Sequence, residues 1–241
     1  LLLVMPELGL AQTTLVTGLG GPVDCGEGVL PPGDEGSSTT IDLASAFPQG
    51  LSFYGTSYSN VFVNTNGSLS FAAAVPNFDG TRFPFTSVPM IAPFWADVDT
   101  SSEIDGLQNR VYFDVVPGTV TVTWYFVGRN VGHVDRLDTF QLILNDQSAA
   151  RAPGDFDFEM RFVQCGWVSS DSMGGVDGFG GSAAQMGFDA GNIANYFLHP
   201  DSQTDEIVHL CDQSNIGEPG VWRFVVRAGE VETCGNGERE G

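Results

Sequence analysis

Apolar and polar residues alternate along most of this chain with a period of two. Val120, Val122, Trp124 and Phe126 alternate with Thr119, Thr121, Thr123 and Tyr125, after Val111–Val115 and a Pro117-Gly118 turn, which predicts a hairpin. Phe156, Phe158, Met160 and Phe162 share one strand face, and Asp157, Glu159 and Arg161 take the other, as expected for one packed side and one wet side. Trp222, Phe224 and Val226 repeat the pattern against Arg223, Val225 and Arg227. A further hairpin is predicted where residues 60–64 and 68–71 flank Thr65-Asn66-Gly67, because Asn-Gly supplies the positive φ angles of a tight turn. No stretch of ten or more residues carries an apolar stripe of helical period. The pattern therefore predicts an all-β fold, an antiparallel β-sandwich or open barrel with long loops, its 18 Phe and 4 Trp filling the space between sheets.

Breaks in the pattern divide the chain. Residues 1–11 resemble the end of an apolar signal peptide. Residues 12–38, rich in Gly, Pro, Asp and Ser, form a leader that wraps or extends. The β domain is expected over residues 39–229, and residues 230–241 read as a linker and the start of another, cysteine-rich module. The Gly-rich stretch within residues 171–192 is either a functional loop or a place of flexibility and close backbone packing; both readings stand.

Charge narrows the classes of partner. Thirty Asp and Glu face nine Lys and Arg, all of them Arg, for a net charge of −21. Such a surface repels polyanions, so nucleic acid and anionic membranes are disfavoured. Acidity of this kind suits a solvated surface outside a cell, cation binding, or a basic partner. After residue 11, no apolar run approaches the roughly 18 residues of a membrane span, so membrane insertion is not expected. The cysteines, Cys25, Cys165, Cys211 and Cys234, include no Cys-x-x-Cys pair, and an exported chain makes disulfides the better account. Of three possible pairings Cys165–Cys211 is favoured, since both lie inside the domain; Cys234 is left for a partner beyond it.

Catalytic motifs are absent: His133, His199 and His209 fall in no zincin spacing, and neither a nucleophile elbow nor a phosphate-binding loop occurs. Carboxylates are too numerous for a glycosidase pair to be dismissed by counting or to be recognised by it. The chain is read as non-enzymatic. One ladder is more specific. Asp97, Asp99, Ser101, Glu103 and Asp105 place oxygen side chains at every second position, and calcium takes such hard ligands. Asp97, Asp99 and Asp105 are the candidate calcium ligands. Against this, Ser102 and Gln108 stand where an EF-hand loop needs Gly and Glu, and the same residues would serve as a wet strand face or as turn caps. Asn66-Gly67-Ser68 is a glycosylation sequon on a hairpin tip, although the turn already explains its asparagine.

Ordered blocks of sequence carry a family resemblance. Phe53-Tyr54-Gly55 precedes Val61-Phe62-Val63-Asn64-Thr65-Asn66-Gly67-Ser68-Leu69-Ser70-Phe71, and Ile91-Ala92-Pro93-Phe94-Trp95-Ala96-Asp97-Val98-Asp99 follows. Val122-Thr123-Trp124 and Asp138-Thr139-Phe140-Gln141-Leu142-Ile143-Leu144 come next, then residues 181–191 and 214–224. From about residue 51 to 228 the chain resembles the nidogen-like extracellular (NIDO) domain. That resemblance implies secretion or cell-surface display and a role in cell–matrix adhesion or matrix assembly, and it brings no catalytic residues. Residues 234–241 resemble the opening of cysteine-rich repeats of exported myxobacterial-type proteins, which implies a bacterial multidomain parent.

As an adhesion module, the domain would present loop aromatics and charges to an extracellular protein or glycan, with desolvated rings supplying affinity. Phe78, Asp79, Arg82 and Phe179 are the candidate contacts, chosen as exposed-looking positions in polar stretches. A calcium-assisted carbohydrate-binding module is the alternative, and a glycoside hydrolase with two carboxylates across a deep cleft is the third.

Overall fold

The computed structural model describes residues 13–84 and 87–233. The signal-peptide reading of residues 1–11 and the reading of 234–241 as a new module, Cys234 included, lie outside the described residues.

The strands in the first half are β1 (Gly28–Val29), β2 (Ile41–Asp42), β3 (Leu51–Phe53), β4 (Thr56–Tyr58), β5 (Asn60–Asn64), β6 (Ser68–Ser70), β7 (Met90–Trp95) and β8 (Val98–Asp99). There follow β9 (Arg110–Val116), β10 (Thr119–Arg129), β11 (His133–Asp146), β12 (Phe156–Gln164), β13 (Gln185–Asp189), β14 (Tyr196–Leu198), β15 (Val221–Arg227) and β16 (Glu230–Thr233). The large sheet runs β1-β9-β10-β11-β12-β15-β16, with β8 added beside β10. The second sheet runs β14-β13-β7-β6-β5-β2, and β3-β4 form a separate ribbon. The named pairings are antiparallel, and the sheets stay separate, so the sandwich, not the barrel, is the architecture. Helix among the described residues is confined to 3₁₀ segments at Asp171–Met173 and Asp205–Cys211.

Aromatic residues join the sheets as the period-two pattern requires. Phe94 of β7 meets Phe140 of β11 at 5.4 Å between ring centroids, and Phe140 stacks on Trp124 of β10 at 4.9 Å. Phe188 of β13 reaches Phe158 of β12 at 5.5 Å and Phe224 of β15 at 5.1 Å. These edge-on and stacked pairs contribute beyond their buried area.

Strand β7 is buried on both faces, which explains its unbroken apolar sequence. Its register against β13 slips between Ala92 and Trp95, so Pro93, which has no N–H to give, sits at the irregularity. Ile91 and Phe94 consequently face the main core. Met90, Ala92 and Trp95 build a smaller cluster with Phe78 and Phe83 of the preceding β6–β7 loop.

The outer face of the large sheet is less wet than its alternation suggests. Gln141, wholly buried, exchanges hydrogen bonds with the backbone of Val16, and Arg161 donates to Thr13 and Thr14. Glu159 holds Arg161 on one side and Arg223 on the other, each at 2.5 Å. The stretch before β1 thus covers this face, and residues 30–38 cross to one end of the sandwich, where Ser37 bridges to Asn64.

A disulfide joins Cys165, just after β12, to Cys211 in the second 3₁₀ segment, with Cα atoms 6.2 Å apart across 46 positions of sequence. Cys25 is buried with no disulfide partner among the described residues, and burial pushes its thiol pKa up.

Candidate functional site

Several connections converge at that end of the sandwich, and Asn66 is their junction. It lies in the β5–β6 turn, whose Gly67 approaches β7 so closely that a Cβ would lie 1.7 Å from the Phe94 carbonyl oxygen. Glycine is therefore required there for space as well as for its φ of +76°. The Asn66 amide donates to Glu35 Oε2 and to the Pro76 carbonyl, both at 2.7 Å, while its oxygen accepts from Val98 N at 2.8 Å. Asn66 has no exposed surface. The sequon asparagine, which the turn already explained in the sequence, is closed off in the fold.

Around Asn66 the structure gathers the neighbouring Asp34 and Glu35 with Asp97, a carboxylate far along the sequence from both. Asp34 accepts from Asn130 Nδ2 at 2.6 Å through Oδ2, while its Oδ1 is closed from solvent and has no hydrogen-bond partner. Glu35 accepts from Asn66 and, at 3.1 Å, from Phe78 N. Asp97 accepts through Oδ2 from Ser170 Oγ at 2.6 Å and from Ser172 Oγ. Asp34, Glu35 and Asp97 each bring one oxygen within 4.8 Å of the others. Burial raises the pKa of Asp34, and the charges of Asp99 and Asp97 add to the effect. Burial, then the charge of Asp34, pushes Glu35 up to about 7.

This differs from the ladder expected to bind calcium. Asp97 is in the cluster, but both Asp99 oxygens are engaged by backbone, Oδ1 by Ser101 N at 2.8 Å and Oδ2 by Gly132 N at 2.7 Å. Asp99 fixes the β10–β11 turn. Asp105 is exposed and caps its own loop by accepting from Leu107 N and Gln108 N. The alternation fails because β8 ends at Asp99: the chain then turns, and residues beyond it no longer share a strand face. Asp34 and Glu35 escaped sequence reading because they sit in a non-periodic Pro-Pro-Gly-Asp-Glu-Gly run, and only the crossing of residues 30–38 brings them to Asp97.

The candidate partner residues divide. Phe78 is a correction: it is only 5% exposed and packs edge-on against Trp95 at 5.3 Å, part of the second apolar cluster. A Phe in a polar stretch was anchoring its loop to the sheet. Asp79 and Arg82 are exposed. Their loop touches the Gly-rich segment, since a Cβ on Gly80 would meet Ser182 Oγ at 3.3 Å and Met173 Sδ at 3.5 Å. Gln203 and Gln185 add bonds to the carbonyls of Gly80 and Thr81. Phe179 is half-buried under the Arg136 guanidinium, 5.4 Å from the ring centroid. Beyond the Gly-rich turns, Gln185–Asp189 of the stretch read as loop is strand β13.

Elsewhere, an open groove of about 340 Å³ is lined by Val29, Leu30, Pro31, Pro32, Arg110 and Tyr112 among others, with no carboxylate in its wall. The two facing acids of a glycosidase are not gathered there.

The nidogen-like domain matches residues 59–114 and 115–228, which include the Asn66 turn, the Asp97 junction and the Gly-rich loop. The chain belongs to the nidogen-like domain family. Alpha-tectorin of Mus musculus is 31% identical over 229 residues, 83% of this chain and 10% of the relative. Nidogen of Drosophila melanogaster is 30% identical over 236 residues, 85% of this chain and 16% of the relative. The dendrite extension defective protein 1 of Caenorhabditis elegans is 25% identical over 220 residues, 85% of this chain and 18% of the relative. The chain thus spans a small part of each relative's length. No solved structure matches it. Membership places this nidogen-like domain with secreted extracellular matrix proteins. No helix among the described residues is long and apolar enough to cross a membrane.

Proposed function

We propose that this nidogen-like domain is a non-catalytic adhesion module that presents Asp79, Arg82 and the Gly-rich loop around Phe179 to an extracellular protein or glycan. The family match across residues 59–228 carries the reading, because it joins the chain to a tectorin and a nidogen. The geometry supports it: two loops of unlike sequence lie against each other on rigid strand ends, and rigid scaffolds with adjoining loops are the usual platform for recognition. Arg82 and Arg136 are two of the chain's nine arginines, set against 30 Asp and Glu, and would give a partner's acidic groups a place to land and set the encounter rate. The resemblance of the tail to a bacterial cysteine-rich repeat favours an exported bacterial multidomain parent.

The test is solid-phase binding of the chain to an immobilised extracellular-matrix preparation and to a glycan array, beside a variant carrying Asp79→Ala, Arg82→Ala and Phe179→Ala. Binding should fall at least tenfold in the variant. Unchanged binding removes this surface from the reading; absence of binding by the parent chain to either probe removes the adhesion role.

A further inference from the structure

We propose that Asp34, Glu35 and Asp97 hold a calcium ion that clasps the N-terminal crossing to the sandwich. One oxygen from each of the three lies within 4.8 Å of the others, no more than twice a calcium–oxygen distance of roughly 2.4 Å, the span within which oxygens sharing one ion must fall. The set is built of hard oxygens alone, with no sulfur or imidazole, which selects an alkaline-earth ion over zinc or copper.

Two orphaned polar groups point the same way independently. Asp34 Oδ1 is sealed from solvent without a hydrogen-bond donor, and a desolvated carboxylate oxygen left unpaired is costly. Thr65 is wholly buried, and its hydroxyl also lacks a partner. That hydroxyl faces the backbone beside Glu35, since a Cβ on Gly36 would lie 2.7 Å from it. Meanwhile the remaining oxygens are held in place: Asn130 fixes Asp34 Oδ2, Asn66 and Phe78 N fix Glu35, and Ser170 and Ser172 fix Asp97 Oδ2. Ligands oriented before the ion arrives are what a binding site needs.

Among the described residues no cation answers this charge. The chain has no lysine, and Arg129 is engaged by Asp135 at 2.9 Å and Asp171 at 3.7 Å. The described ion pairs leave Asp34, Glu35, Asp97 and Asp99 without a basic partner. A divalent ion would neutralise the cluster and bind two consecutive residues of the crossing to the β7–β8 junction. Calcium fits better than magnesium because an irregular loop-and-strand set tolerates its flexible coordination, whereas magnesium demands a near-ideal octahedron. The calcium reading does not rest on the adhesion reading, and its test needs no partner.

The experiment is calorimetric titration of calcium chloride into chelator-treated chain at neutral pH, with thermal unfolding followed in parallel. One saturable site is expected, with a dissociation constant of about 0.1 to 1 mM, the range of extracellular calcium modules, and a melting temperature that rises with calcium. Glu35→Gln keeps the shape and an acceptor for Asn66, and should weaken binding at least tenfold; Asp34→Asn should do the same. Asp105→Asn, outside the cluster, should bind as the parent does. Three outcomes overturn the proposal: no saturable heat up to 10 mM calcium (about ten times the weakest constant expected), undiminished affinity in both Glu35→Gln and Asp34→Asn, or equal affinity for magnesium. Should Asp34→Asn fail to fold, Glu35→Gln alone decides.

Discussion

The space between the sheets and the acidic end of the sandwich are held together on different terms. Between the sheets, Phe140, Phe158, Phe188 and Phe224 meet through rings, and area removed from water supplies the stability. At the acidic end, Asn66 and Asp97 are buried, Asp34 is half-buried and Glu35 is exposed, and the polar atoms of each take a particular partner. An apolar contact tolerates small shifts, whereas a desolvated carboxylate or amide loses most of its support when one partner goes. The first region makes the fold; the second fixes how the chain's N-terminal crossing and loops are tied to it.

The largest effect should come from breaking the apolar side. Phe158 is fully buried between Phe188 and Phe224, so Phe158→Ala should cost about 4 kcal/mol of unfolding free energy in urea denaturation. That loss should be the same with calcium or with chelator. A loss that changed with calcium would show the two regions to be one energetic unit.

Asn66→Ala tests the polar side. It removes donors to Glu35 and Pro76 and the acceptor for Val98 N, and should cost about 2 kcal/mol by the same measurement. Cleavage by protease should also become faster in residues 30–38 and 72–84, the two segments that Asn66 joins. Equal protease rates in variant and parent would mean that Asn66 is not the junction described.

The smallest effect sharpens the comparison, because it puts a titratable ring in the apolar region. His199 is 6% exposed and stands edge-on to Trp222 at 4.8 Å. Burial lowers its pKa below the ordinary 6.5. The unfolded chain therefore takes up a proton first as pH falls through 6.5, and stability, complete above that pH, declines below it until the folded histidine also protonates. The slope from this group is at most about 1.4 kcal/mol per pH unit. Thermal unfolding between pH 7.5 and 5, with pH values chosen to span the ordinary histidine range of about 6.5, should show the parent losing stability relative to His199→Phe as pH falls, whatever slope the raised Glu35 and Asp34 carboxyls give to both. Identical slopes would remove His199 as the cause.

Much of the architecture was legible in the sequence because a strand writes its burial into alternate positions. Val120, Val122 and Trp124 face the core as their spacing required, and so do Phe156, Phe158, Met160 and Phe162. The pattern gave less warning where a residue's neighbours come from far along the chain. Phe78 looked exposed in a polar stretch, and Asp105 looked like a companion of Asp97. Each was misplaced by reading a short segment without what packs upon it.

Period-two hydrophobicity and Asn-Gly and Pro-Gly turns determined that this chain forms paired antiparallel sheets, since strand geometry repeats every two residues and needs no distant information. Tertiary structure alone decided that Asp34 and Glu35 meet Asp97, that Asn66 is closed off, and that the 79–82 loop lies on the Gly-rich turn. Those meetings depend on how a non-periodic crossing is laid over the end of a sandwich. Charge and hydrogen-bonding capacity are written in each residue, but the distance between two of them is a property of the fold.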